Sequence, residues 1–197
     1  MKKVLIILIL VFICNRGYPD SIKDFQIEGV SLGSSLLNHF SEQEIKQQLS
    51  KTKSSYKNKD YIRTFFSINS PKIYKQIGVH FKNNSEYEVG SVNGSIIYYS
   101  NETQCYAKEK QVINSLKKDF ENAKIKGKPG EKIRHPGDSS GKSTYTSTKF
   151  ILNGGSITVS CTIWDEKIKK EKNWKSSLKV SLSTDEFINW LDNRAWK

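Results

Sequence analysis

Two cysteines, Cys105 and Cys161, constrain this chain more than any other feature, because each falls on the apolar side of a different kind of element. Residues 101–122 read as a helix, and a wheel started at Cys105 places Val112, Ile113, Leu116 and Phe120 in one stripe of about 100° beside it. Residues 156–164 read as a strand in which Ile157, Val159, Cys161 and Ile163 alternate with Thr158, Ser160 and Thr162. Both thiols therefore face a core, and a Cys105–Cys161 bridge would staple a helix to a sheet. Tying residues 56 positions apart contributes about 4 kcal/mol by the loop-entropy argument. That is a large share of a usual domain stability of about 5–15 kcal/mol.

A disulfide needs an oxidising compartment, and the start of the chain supplies a route to one. Met1-Lys2-Lys3 precedes an apolar run of eleven residues, 4–14, well short of the ~20 needed to cross a bilayer. The pattern predicts a signal peptide over residues 1–17, with a boundary between 14 and 20, and one exported domain over 21–197. The alternatives are an N-terminal anchor or a lipid on Cys14, although Ile13 stands where lipoprotein processing takes Gly, Ala or Ser. In either case two cysteines remain for the exported domain, an even number that suits one disulfide. The expected location is periplasmic, with lipid-anchored or extracellular placement as alternatives. Membrane contact is expected only through the export signal or a lipid on Cys14.

Loss of residues 1–17 lowers the formal charge of +12 by three, to +9, because Lys2, Lys3 and Arg16 go with it. So basic a domain favours a long anionic partner: acidic polysaccharide, lipopolysaccharide phosphate, an anionic membrane surface or nucleic acid. The bland alternative is that lysine keeps the chain soluble. Only four of the 32 basic residues are arginine: Arg16, Arg63, Arg134 and Arg194. Readers of base sequence lean on the bidentate guanidinium, so the lysine excess and the export signal argue against nucleic acid.

In chain order, residues 25–33 form an extended lead with Gly29 and Gly33, followed by a helical region marked by Leu36, Leu37, Phe40, Ile45 and Leu49. Within it Ser41 and Glu44 match a capping box. Residues 61–68 and 76–82 read as strands. Residues 87–92 and 95–99 flank Asn93-Gly94, which tolerates the two positive φ angles of a type I′ turn, and they predict a hairpin. After the 101–122 helix, residues 123–142 form a long connection without periodicity, a kind of segment that is usually functional or disordered. Strands over 145–152 and 156–164 meet at Asn153-Gly154-Gly155, and a second connection carries Lys167, Lys169, Lys170, Lys172 and Lys175. Leu178, Val180 and Leu182 mark a last strand, and Ser183 and Glu186 match a second capping box before a short helix with Phe187 and Trp190. Hairpin-length connections imply antiparallel pairing. The fold class expected is α+β, with an antiparallel sheet of about six to seven strands, helices packed on one face and one disulfide.

Few residues carry recognisable chemistry. Residues 137–144, Gly-Asp-Ser-Ser-Gly-Lys-Ser-Thr, look like a phosphate loop but place three residues between the glycines where that loop has four, and precede a strand instead of a helix. A looser anion site, with backbone N–H groups and Lys142 as donors, is the remaining reading. His39, His80 and His135 have no ligand spacing, so neither a metal nor a cofactor is assigned. No Gly-x-Ser-x-Gly elbow is present, and Asp165, Glu166, Asp185 and Glu186 fit caps and solvated ends, so no catalytic residue is assigned. Trp164 lies on the strand face opposite Cys161, and Trp174, Trp190 and Trp196 follow; exposed tryptophans beside lysines suit a sugar or a membrane surface, whereas core or edge cover is the ordinary role.

The stretches 27–37, 137–144 and 189–194 resemble those of small exported proteins of AT-rich bacterial genomes. The resemblance implies bacterial origin and export, and it carries over no functional residue. The expected function is that of a non-catalytic exported domain binding an anionic polymer or an envelope protein through basic loops; the alternative is a small exported hydrolase. The candidate anion-binding loop comprises Lys126, Lys128, Lys132, Arg134, Ser139, Ser140, Gly141, Lys142 and Ser143.

Overall fold

The structure, a computed structural model, describes residues 21–52, 56–98, 102–121 and 123–197. The expected signal peptide and Cys14 lie outside the described residues, as do Asn101 and Asn122 at the ends of the expected helix. Strands β1 (Gln26–Ile27) and β2 (Val30–Ser31) form a small hairpin ahead of helix α1 (Glu42–Lys51). Strands β3 (Tyr61–Ser67), β4 (Gln76–Lys82) and β5 (Val89–Tyr98) lead into helix α2 (Glu102–Asp119). Then come β6 (Lys124–Lys126), β7 (Ile133–Arg134), β8 (Thr144–Tyr145), β9 (Thr148–Leu152) and β10 (Gly155–Ile163). Helix α3 (Glu166–Lys172), strand β11 (Ser176–Thr184) and helix α4 (Asp185–Asn193) complete the order.

Nine strands make one antiparallel sheet in the order β3-β4-β5-β11-β10-β8-β7. The outer edge of β10 is shared, with β9 and then β6 beside its first half and β8 beside its end. The fold is thus α+β with a large antiparallel sheet. It exceeds the expected six to seven strands because residues 124–126 and 133–134, inside the long connection, pair as β6 and β7 and the expected strand 145–152 is divided into β8 and β9. The expected strands 87–92 and 95–99, by contrast, are the single strand β5.

Side-chain alternation gives the sheet two unlike faces. On one, Ile157, Val159 and Cys161 of β10 and Leu178, Val180 and Leu182 of β11 are buried beneath Cys105, Val112, Ile113 and Leu116 of α2. The Cys105–Cys161 disulfide joins helix and strand there, with Cα atoms 6.0 Å apart. Ser41 opens α1 with the expected capping box, its hydroxyl accepting from Glu44 N–H while the Glu44 carboxylate accepts from Ser41 N–H. Helix α1 closes the β3 end of the same face, where Phe40 stacks on Phe66 at 4.1 Å. Helix α4 crosses to the opposite face, where Phe187 and Trp190 pack on Tyr61 and His80. One-sided placement of helices therefore describes α1 and α2 but not α4. Its N-cap is Thr184, one residue beyond the expected Ser183.

A polar tie sits beside the disulfide. Glu109, one turn along α2 from Cys105, is buried and accepts a hydrogen bond of 2.6 Å from Thr146 Oγ1. Thr146 Oγ1 in turn accepts from Cys161 N–H at 3.1 Å. Burial raises the Glu109 carboxyl, and the Thr146 bond offsets part of that rise.

The expected Asn93-Gly94 hairpin is not formed. β5 runs straight through both residues, with Asn93 opposite Gly78 of β4 and Ser181 of β11. Asn93 donates its side-chain amide to Gly78 C=O at 3.0 Å. Gly94 is there for closeness: a Cβ at that position would lie 2.3 Å from the Tyr74 ring. The turn with two successive positive φ angles lies instead at Glu28 (52°) and Gly29 (87°), between β1 and β2. The Glu28 carboxylate accepts from Lys72, Ile73 and Tyr74 N–H at 2.7–2.8 Å and so holds Tyr74 over Gly94.

Replacing both Cys105 and Cys161 by alanine is expected to lower stability by about 2–5 kcal/mol in urea unfolding, with the secondary structure retained. Because the folded-state pKa of Glu109 is raised, its stabilisation is complete below the unfolded value of about 4.3 and is lost as pH rises through the folded value. Glu109→Gln keeps an acceptor for Thr146, so it is expected to raise the melting temperature at pH 7 and not at pH 4.

Candidate functional site

The basic connection is built on strand pairs. Lys126 ends β6, which pairs with β9, and Arg134 ends β7, which pairs with β8. Lys128 and Lys132 lie between these strands. Lys132 places its ammonium 4.3 Å from the Tyr106 ring centroid on α2, and Lys128 makes a loose exposed pair with Glu131 at 3.9 Å. Together with Lys142, these cations are all exposed.

Ser140, Gly141 and Ser143 serve a different end, and Ser139 is exposed. Residues 137–143 wrap around a carboxylate of their own, that of Asp138, which is 4% exposed. Ser140 N–H donates to it at 2.9 Å, Ser143 N–H at 2.8 Å and the Ser143 hydroxyl at 2.6 Å. Those bonds from Ser143 and Ser140 hold the Asp138 carboxyl far below the usual range. Gly141 N–H donates to Asp138 C=O at 3.0 Å, and Asp165 N–H donates to Ser143 Oγ at 2.9 Å. The donors that would meet a phosphate are thus engaged by an internal anion. What this segment offers an external anion is the exposed Lys142 ammonium.

Beside this turn runs a stack of rings. His135 lies 4.1 Å from Trp164 and 5.4 Å from Tyr145, Trp164 lies 4.4 Å from Trp174, and Lys172 covers Trp174 at 4.6 Å. Trp174 is 39% exposed and lines an open cleft of 160 Å³ with Tyr98, Lys169 and Ser176. Trp190, by contrast, is core, and Trp196 lies against Tyr56. Alternation puts Trp164 and Tyr145 on the sheet face opposite the disulfide, at the end of a carpet of hydroxyls. In successive rows Thr162 faces Ser177, Ser160 faces Lys179 and Thr158 faces Ser181, and β5 adds Ser95 and Asn93. Arg63 and His80 continue the same face on β3 and β4.

His80 is buried beneath Phe187, and one of its ring nitrogens shares a hydrogen bond of 3.1 Å with the Tyr56 hydroxyl. Burial, then the charges of Arg63 and Lys179, push its pKa down to about 3, so it is neutral at ordinary pH. Among the described residues, no cluster of three or more His, Cys, Asp or Glu is placed to hold a metal ion, and no helix is long and apolar enough to cross a membrane.

Composition points to the lysines of the long connection and not to Arg63, Lys179 or the His135 stack, which only the fold brings together. Strand alternation did hold part of the signal, since Ser177, Lys179 and Ser181 interleave with Leu178, Val180 and Leu182.

Asp138→Asn removes one acceptor oxygen from the turn, and faster hydrogen exchange at the Ser140 and Ser143 amides is expected. In the unsubstituted protein the depressed carboxyl stabilises the turn above pH ~3.9, and that contribution is lost as pH falls toward its folded value. The same amides should therefore loosen on acidification. Comparison of the chain with protein families, with curated proteins and with solved structures finds no match.

Proposed function

We propose that this protein is an exported, non-catalytic domain of a bacterial envelope, periplasmic in location, that binds an anionic envelope component through its basic surface. The observation that supports this most is the pairing of residues 124–126 and 133–134 into the sheet edge, which gives Lys126 and Arg134 a rigid base. A strand edge rich in exposed lysine also resists pairing with a second strand edge. The disulfide accords with an oxidising compartment. The hydroxyl and amide groups of residues 137–143 shape the loop around Asp138, and the cations make the contact.

The lysine excess implies attraction without a fixed geometry, because an ammonium is a compact charge on a flexible stem. Binding to an anionic matrix should accordingly fall with ionic strength. Replacing Lys126, Lys128, Lys132, Arg134 and Lys142 by serine is expected to move elution from a heparin column to markedly lower salt. Elution at the original salt by a variant with an unchanged circular-dichroism spectrum would remove the loop from the proposal.

A further inference from the structure

The sheet face opposite the disulfide is largely polar and basic, with Phe65 and Ile97 as its exposed apolar members, and part of it is open. Helix α4 covers its His80 corner, whereas Lys179, Arg63 and Trp174 are exposed and Thr158, Thr162, Ser177 and Ser181 are half-buried. None of the strand positions on this face of β3, β4, β5, β11 and β10 is acidic. Among the described residues, neither Arg63 nor Lys179 makes an ion pair. Arg63 lies instead against Phe65, 4.7 Å from the ring centroid. Burial against the neighbouring strands and then the Arg63 charge lower the Lys179 ammonium, so two like charges act on one another across this surface. Burial and then the Lys179 charge lower the His135 imidazole in the ring stack, and the Asp138 carboxylate opposes them.

We propose that this face binds a linear polysaccharide containing uronic acids, with Trp174 and Trp164 as the stacking platform and Lys179 and Arg63 as carboxylate partners. The proposal rests on the reading of the protein as a binder of anionic envelope material and names the ligand class and its site.

Three features favour this occupant. Serine and threonine hydroxyls both donate and accept, as sugar hydroxyls do, whereas phosphodiester oxygens only accept. The Trp174 indole, 39% exposed with Lys172 over one side of the ring, presents apolar surface suited to the C–H side of a pyranose. The charges are sparse, two free cations over the roughly 19 Å from β3 to β10, a density that fits scattered carboxylates better than a heavily sulfated chain. The planar Arg63 guanidinium matches a carboxylate in the two-point manner.

The test uses the mature exported protein and a defined oligomer of galacturonic acid, with its neutral galactose counterpart and inorganic polyphosphate as controls. Calorimetry and tryptophan emission are expected to show saturable binding of the uronic oligomer, with an emission change, and none of the neutral oligomer. Trp174→Ala is expected to weaken binding about tenfold and abolish most of the emission change, and Lys179→Gln to weaken it several-fold and flatten its salt dependence. Both positions are exposed, and circular dichroism checks that the fold is kept. Equal binding of the neutral oligomer, or binding unaltered in both variants, would overturn the proposal. So would a concentration-dependent dimer dispersed by Lys179→Gln, which would assign the face to a second copy. If polyphosphate or heparin binds while the uronic oligomer does not, the anionic-partner reading stands and the sheet-face proposal falls. If no anion of any kind binds, both fall.

Discussion

The clamp between α2 and β10 decides what each face of the sheet can be. A strand turns alternate side chains to opposite sides, so fixing Cys161 against Cys105 commits every odd position of β10 from Ile157 to Ile163 to the core. The partner register carries that commitment outward: Val159 aligns with Val180, and Val180 with Gly94. Slipping one residue would bury Ser160 and Lys179 under α2 and expose Leu178 and Val180. The bridge and the Glu109–Thr146–Cys161 bonds stand at one point along the helix, where they oppose such a slip together.

Much of this architecture is legible in the chain, because periodicity carries it. The helical stripe around Cys105 and the alternation around Cys161 both appear as read, and so does the capping box at Ser41. Asn93-Gly94 misleads for a physical reason. Turn propensity is a local preference, while Gly94 answers a tertiary demand, room for the Tyr74 ring, and Asn93 spends its amide across the ladder on Gly78. Helix α3 escapes notice because it buries no residue. Local devices hold it: the Asp165 cap, the Glu166–Lys169 and Lys167–Glu171 pairs, and a left-handed stop at Asn173.

The phosphate-loop likeness shows the same limit from another side. Glycine, serine and lysine in that order describe a backbone able to wrap an anion, and the backbone does wrap one. The anion is Asp138, from within the motif itself, with Ser143 relaying the contact to Asp165 at the start of α3. A carboxylate two to five residues from its donors is a nearer partner than any ligand, because no translational freedom is lost when it binds. Spacing alone does not distinguish a loop that waits for a phosphate from one already closed on its own side chain.

The proposed binding surface is the least legible part, since its members come from separate elements and no periodic rule links them. Arg63 comes from β3, Lys179 from β11, and the ring stack from the residue after β7, from β8 and from the segments on either side of α3. What joins them is a consequence of the core. Once α2 claims the apolar face, the hydroxyl rows must face outward, and α4 covers only the corner near His80, where Tyr61, Phe187 and Trp190 supply an apolar patch. Burying Lys179 beneath any further element would strand an ammonium without a partner, at a cost that a folded chain avoids. Leaving that half of the face in solvent is therefore the stable arrangement, and it presents cations, hydroxyls and rings to whatever anion reaches them.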